Sequence, residues 1–95
     1  MKILVMRVVV SVPYSRSLKE KRSVVKAIKD RVWRKFRASI AEVDAQNSLQ
    51  TAVLGICYVS NDKTLLESIN SKIVNFIDDS FPGLLEDTHH IIEDY

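Results

Sequence analysis

The stretch from Ser15 to Arg22 constrains the fold most, because it fixes where the longest amphipathic segment of the chain begins. Ser17 followed by Glu20 matches a capping box, in which the serine oxygen accepts the N3 amide and the glutamate accepts the amide of the cap. Apolar residues then recur at helical spacing in one stripe: Leu18, Val25, Ile28, Val32 and Phe36, with Val24 at its margin. The pattern predicts a helix with one buried face.

Three segments of β-branched and aliphatic residues predict strands. The first, Ile3 to Val12, ends at Pro13, which lacks an amide to donate to a strand ladder. Shorter strands are predicted at Ala38 to Val43 and Ala52 to Val59, joined by a polar hairpin connection. Both faces of the first strand are largely apolar. This is typical of a central strand with helices on one face and another subunit partly covering the other.

A second helix follows the cap residues Ser60 to Asp62. Its apolar positions are Leu66, Ile69, Ile73, Phe76 or Ile77, and Phe81, and Pro82-Gly83 ends it. The final segment, Glu86 to Glu93, is assigned a fourth strand from the order of the other elements. This order predicts a single α+β domain over residues 1–95 with a ferredoxin-like, split βαβ (βαββαβ) fold. In that fold a four-stranded antiparallel sheet carries two helices on one face.

Cysteine usage and the first residues predict a cytoplasmic protein. Cys57 is the single cysteine, so no internal disulfide forms, and its aliphatic strand predicts a small buried hydrophobe. The N-terminus enters a strand without the features of a secretory signal. No apolar run approaches the roughly 20 residues that span a bilayer, so no membrane partner is expected.

Charge is distributed unevenly along the chain. Residues 1–50 contain twelve Lys and Arg against four Asp and Glu, whereas residues 51–95 contain two against eight. The net charge of +2 conceals this separation. Such asymmetry is typical of a surface for a polyanion or of a self-complementary contact between subunits.

The first helix concentrates the positive charge on one side. At 100° per residue, five positions fall in a narrow arc beside the buried stripe: Lys19, Arg22, Lys26, Lys29 and Trp33. Together with Arg16 they predict phosphate contacts and, at Trp33, base stacking. An ordinary solvated helix face is the alternative. Lys21 falls near the buried stripe and is expected to snorkel or pair internally.

The remaining polar clusters point to no reaction. Glu42, Asp44 and Gln46 by the hairpin admit a cation site, a contact with the basic helix of another subunit, or a solvated turn. His89 and His90 are adjacent, so in a strand they face opposite sides and do not chelate one metal ion. With no phosphate loop, dinucleotide fingerprint or zinc spacing, we predict no catalytic, cofactor or metal site, although an enzyme is not excluded.

The predicted sheet lacks the aromatic residues with which RNA-recognition domains of similar topology stack bases. Its strands contribute aliphatic residues and a single Tyr58. We therefore expect no RNA stacking on the sheet and instead expect a homo-oligomer through its second apolar face.

Several motifs together resemble the YlxP-like family of small bacterial proteins, a domain family of unknown function. They are Ser15 to Arg22, Val24 to Lys26, Ala41 to Asp44, Leu54-Gly55 and Val59 to Asp62. The resemblance covers nearly the whole chain and departs mainly at His89 and His90. It implies a ferredoxin-like fold and a bacterial cytoplasmic protein, often encoded beside translation initiation and ribosome-maturation factors. No catalytic residue carries over.

The expected function is therefore that of a non-enzymatic domain that binds structured RNA or a ribosomal particle through the basic face of the first helix. The alternative is a homo-oligomeric interaction or regulatory module without nucleic acid, in which the positive half of one subunit meets the negative half of another.

Overall fold

Six elements follow one another in the order strand, helix, strand, strand, helix, strand. The computed structural model describes residues 1–95. The elements are β1 (Lys2–Ser11), α1 (Leu18–Phe36), β2 (Ser39–Asp44), β3 (Thr51–Ser60), α2 (Lys63–Ser80) and β4 (Leu85–Asp94). The sheet order is β2-β3-β1-β4 with every pair antiparallel. The predicted ferredoxin-like fold is confirmed, and each strand lies within one residue of its predicted bounds.

The core lies between the two helices and one face of the sheet. Alternate residues of β1, from Leu4 to Val10, are fully or almost fully buried there. Both helices meet them with stripes at helical spacing: Val25, Ile28 and Val32 from α1, and Leu66, Ile69, Ile73 and Ile77 from α2. No helix covers the opposite face of the sheet. Neither helix combines the length and the apolar character that crossing a membrane requires.

Local side-chain chemistry fixes both ends of α1. Ser17 Oγ accepts the Glu20 amide at 3.1 Å, as the capping box predicts. The carboxylate of Glu20 accepts the amide of Arg16 at 3.0 Å, one residue before the predicted Ser17 amide. At the other end Arg37 adopts the left-handed conformation, with φ 57° and ψ 29°, and donates its amide to the Trp33 carbonyl at 2.9 Å. Such a left-handed residue is a common way to end a helix.

Lys21 is fully buried and joins α1 to the connection between β2 and β3. Its ammonium donates to the carbonyls of Ala45 at 2.8 Å, Gln46 at 3.3 Å and Thr51 at 3.0 Å. Glu42 Oε2 lies 3.1 Å from the same nitrogen. This buried oxygen forms no hydrogen bond, so its contact with Lys21 is an ion pair with poor hydrogen-bond geometry. Lys21 therefore pairs internally, as expected.

The acidic residues by the hairpin do not form one site. Glu42 is engaged by Lys21 of its own chain, whereas Asp44 accepts the amide of Ala45 at 2.7 Å. The β2–β3 register shifts between Glu42 and Asp44, so the regular alternation of a strand does not bring the two carboxylates together. No group of three or more metal-ligating side chains occurs in the structure.

Two further predictions concern the strands. The prediction that Cys57 is buried is wrong: it is exposed, because it pairs with Val5 on the uncovered face of the sheet. His89 pairs with Arg7 on that face, whereas His90 pairs with Met6 on the helix side, so the two imidazoles do diverge. His90 Nε2 lies 2.9 Å from Glu67 Oε2 of α2.

Candidate nucleic-acid interface

The surface that we call the basic ridge consists of the six residues predicted to contact nucleic acid. They are Arg16, Lys19, Arg22, Lys26, Lys29 and Trp33. The helix that carries most of it, α1, contains eight Lys and Arg against Glu20 and Asp30. Within the ridge, Lys29 is half-buried and the other five side chains are exposed. Arg16, Lys19 and Arg22 form no ion pair, so the N-terminal half of the ridge keeps its charge available.

One carboxylate interrupts the ridge in its middle. Lys26 Nζ lies 2.7 Å from Asp30 Oδ2, one helical turn later. The hydrogen bond from Lys26 lowers the pKa of Asp30, and the charges of Lys26, Arg34 and Lys29 add to this effect. The ridge therefore consists of a free cationic half and a second half in which Asp30 offsets one lysine.

The ridge ends at an exposed aromatic with a cation over it. Trp33 is 50% exposed, and the guanidinium carbon of Arg37 lies 5.2 Å from the centre of its ring. Beside this pair is an open cleft of about 500 Å³ between α1 and the start of β2, which Lys29, Ser39 and Ile40 also line. The cleft brings a flat aromatic surface and cationic side chains together, and the carboxylate-bearing Asp30, which is paired with Lys26, also lines it.

The other cations near the end of α1 face a different neighbour. Arg31 lies over the ring of Phe81 at 5.1 Å, and Lys35 lies over Phe76 at 4.9 Å. Both contacts reach the α2 side of the molecule. These cations stabilise the junction between the helices and are separate from the ridge.

Charge separation along the sequence becomes separation in space. Helix α1 packs over β2 and β3, whereas α2 packs over β1, β3 and β4. The latter side holds the acidic residues of the second half of the chain, and β4 contains no Lys or Arg at all. A polyanion therefore meets one attractive side of the molecule and one repulsive side.

The uncovered face of the sheet is apolar with scattered charge. Val43, Val59 and Ile91 are each about half exposed on the sheet. At the centre is a shallow depression of about 430 Å³ over Gly55, lined by Val5, Arg7 and Val43 among others. The only large polar side chain in its wall is Arg7. This face is a candidate surface for association.

The cleft beside the predicted ridge is also lined by Arg37, which the sequence analysis did not include among the ridge residues. Arg37 follows the end of the helical pattern, so its angle around α1 could not be projected. The signal available was a basic residue at a helix C-terminus, which the macrodipole explains without any contact to Trp33. In the structure Arg37 has a left-handed backbone, and its guanidinium lies over the indole.

Comparisons with known proteins agree on fold and family. A family model described as "Protein of unknown function (DUF503)" matches residues 3–90. The uncharacterized protein YlxP of Bacillus subtilis is 44% identical over 68 residues, which are 72% of this chain and 73% of that protein.

Similarity to solved structures shows the fold alone. A de novo designed protein with a ferredoxin fold aligns over 100% of this chain and 87% of its own, with 15% identity and a TM-score of 0.56. A dabb family protein with a ferredoxin-like fold from Mesorhizobium loti aligns over 99% and 96%, with 16% identity and a TM-score of 0.51.

Proposed function

The chain belongs to the DUF503 family, whose function is unknown, and from its surface chemistry we propose that it is a non-enzymatic domain that binds structured RNA through the basic ridge. The RNA is either free or part of a ribosomal particle. The observation that carries the proposal is the exposure of Arg16, Lys19 and Arg22 on one side of the molecule without an acidic partner.

Unpaired cations are the part of the ridge that would contribute most to binding. A cation that contacts a phosphate releases condensed counterions from the nucleic acid, and this release drives association. A lysine already paired with a carboxylate contributes less, because RNA must first compete with that carboxylate. Binding should therefore depend on Lys19 and Arg22 more than on Lys26.

The test is filter binding of a structured RNA to the protein across a series of salt concentrations. In the double variant Lys19→Glu, Arg22→Glu we expect weaker binding at every salt concentration. The slope of log K against log salt should become shallower by about 0.7 to 0.9 for each phosphate that the variant no longer neutralises. Both positions are exposed, so the fold should tolerate the changes.

A matched control places the same charge change on the other helix. Lys63 and Lys72 are exposed on α2, away from the ridge. The double variant Lys63→Glu, Lys72→Glu should retain the salt slope of the parent protein. RNA affinity that is absent, insensitive to salt, or equally reduced in both double variants would refute the proposal.

A second candidate function, a homo-oligomeric interaction module, is favoured by the uncovered sheet. Four strands about 4.8 Å apart, with about eight residues each at 3.3 Å, give a face of roughly 500 Å² in projection. A standard interface buries roughly 800 Å² of accessible surface per partner, so most of this face would take part in the contact. The face is also self-complementary in charge, because Arg7 shares it with Asp87 and Glu93 of β4. A second copy would offer a carboxylate to each arginine.

Light scattering at low and high salt tests this candidate. We expect a dimer that persists in high salt, since apolar burial is less sensitive to ionic screening than surface charge is. Val59→Lys with Ile91→Lys should produce monomers, because it puts two cations into the apolar face at half-exposed positions. A parent protein that is monomeric at micromolar concentration in both salts would eliminate the candidate.

A further inference from the structure

We propose that the cleft between α1 and β2 binds one unpaired RNA base, stacked on the Trp33–Arg37 pair. The inference rests on the proposed function, since the basic ridge must first hold the RNA. It adds a structural requirement: the preferred RNA carries an unstacked nucleotide beside a helical segment. A fully paired helix offers no free base face.

The first support is the surface that the cleft presents. Half of the Trp33 side chain is open to solvent, and the guanidinium of Arg37 lies 5.2 Å from its ring centre. RNA-binding proteins stack splayed bases on aromatic rings and on planar guanidinium groups. Here both kinds of surface border the open cleft between α1 and the start of β2.

The second support is the backbone of Arg37. A left-handed residue at a helix end is usually glycine, because other residues bring Cβ close to a carbonyl oxygen. This chain has arginine there, with φ 57°, although glycine would satisfy the same cap. A departure from local preference is expected where a side chain serves a site. The arginine side chain at this position lies over Trp33.

The third support is the free edge of the sheet. Strand β2 pairs only with β3, so the backbone groups on its outer side have no partner strand. Ser39 and Ile40 bring this edge to the wall of the cleft. Unpaired backbone amides and carbonyls can hydrogen-bond to the polar edge of a base whose face rests on Trp33. Aromatic stacking and polar recognition are therefore available at one place.

The position of the cleft also determines how far the unpaired nucleotide must lie from the phosphates that contact the ridge. From Lys19 to Trp33, α1 advances about 21 Å at 1.5 Å per residue. That length corresponds to several base pairs of a short RNA helix. Phosphates along a short helix would contact the cations of the ridge, and a nucleotide bulged from its end would reach the cleft. Lys29, half-buried beside the cleft, would lie next to the backbone of that nucleotide.

Trp33 is the single tryptophan of the chain, so its fluorescence reports on the cleft without labelling. The probes are an RNA hairpin with a one-nucleotide bulge, the fully paired hairpin, and the bulged hairpin with an abasic site at the bulge. We expect the bulged hairpin alone to shift or quench the fluorescence. It should also bind more tightly than the other two, by between about 5- and 150-fold for one stacked base.

Variants separate stacking from charge. Trp33→Leu should remove the preference for the bulge, whereas Trp33→Phe should keep most of it. Arg37→Gly removes the guanidinium while suiting the left-handed backbone, so it should fold normally and weaken the preference. Lys35→Leu is the matched control: it removes a cation from the same end of α1 but outside the cleft. It should leave the preference for the bulged hairpin unchanged.

The outcomes distinguish this inference from the proposed function. Salt-sensitive binding that is equal for all three hairpins, with unchanged Trp33 fluorescence, would overturn the stacking site while leaving the ridge intact. Loss of bulge preference in Lys35→Leu as large as in Trp33→Leu would also overturn it. Salt-sensitive affinity that is absent for every hairpin would instead refute the ridge itself and the cleft with it.

Discussion

Lys21 shows how neighbouring residues of one basic run take different physical roles. Lys19 and Arg22 are exposed, whereas Lys21 is fully buried. Its ammonium donates hydrogen bonds to three carbonyl oxygens within 3.3 Å and lies 3.1 Å from a carboxylate oxygen of Glu42. A buried charge is tolerated when it is paired and hydrogen-bonded in this way. Its role is to attach α1 to the hairpin rather than to bind a ligand.

Replacement of Lys21 by methionine should strongly destabilise the fold. Methionine preserves most of the volume but leaves the three carbonyls and Glu42 without their cation. Breaking a buried pair by removing one partner costs about 3–5 kcal/mol of unfolding free energy. Urea denaturation followed by circular dichroism measures this change.

Lys19→Met provides the comparison for that measurement, because Lys19 is exposed on the same helix. Its unfolding free energy should stay within about 0.5 kcal/mol of the parent. A similar, small loss of stability in both variants would mean that the Lys21 contacts contribute little.

The titration of the single residue Asp30 leads to a prediction about pH dependence. Its hydrogen bond from Lys26 lowers its pKa below the ordinary value of 3.8. A carboxyl group with a lowered folded-state pKa stabilises the fold above its unfolded pKa. That contribution is lost as the pH falls through the folded pKa. The carboxyl chemical shift of Asp30 should therefore titrate below 3.8, and Lys26→Met should return its midpoint towards that value. An unchanged midpoint would show that the ion pair does not persist in solution.

At the scale of elements, periodicity predicted most of the structure. The alternation in β1 and the stripe of α1 depend on which residues leave water, and hydrophobicity encodes that directly. Cys57 was misplaced because β3 is apolar on both faces, so composition could not show which side was uncovered. The left-handed backbone of Arg37 and the register shift near Asp44 arise from packing between elements. No local pattern contains that information.

The contact between β2 and β3 at Gly55 leads to a prediction for the sheet. A Cβ at Gly55 would lie 2.9 Å from Val43 Cγ1, closer than a normal contact. Gly55→Ala should therefore lower the unfolding free energy by about 1 kcal/mol, the lower end of the range for overpacking, because Val43 is half exposed and can shift. In a Val43→Ala background the same change should be neutral or stabilising. Thermal or urea unfolding of the four proteins of this cycle measures the coupling, and additive effects would contradict the steric explanation.

The molecule as a whole separates three surfaces. The basic ridge lies on the α1 side, acidic residues lie on the α2 and β4 side, and an apolar sheet face lies opposite both helices. The sheet order produces this arrangement, since the second strand in the chain becomes one edge and the last becomes the other. RNA binding and self-association would therefore use different faces, and one need not displace the other.

This arrangement predicts an order of local stability. Strand β1 is central, paired on both sides and buried on the helix side, whereas β2 is a short edge strand with a register shift. Amide hydrogen exchange by NMR should be slowest in β1, with opening free energies close to that of global unfolding. Amides of β2 should exchange through smaller local openings. Equal protection in β1 and β2 would indicate that the sheet opens as one unit.

The attachment of Lys21 has a consequence for engineering the protein. The polar connection between β2 and β3 resembles the kind of surface loop that accepts insertions. Its carbonyls at Ala45 and Gln46 nevertheless hold a buried ammonium, so lengthening it would displace the charge and release α1. The exposed turn at Pro82-Gly83 does not bind the Lys21 ammonium, and a Cβ at Gly83 would meet no neighbouring atom. A fluorescent tag or a pair of new chain ends therefore belongs at that turn.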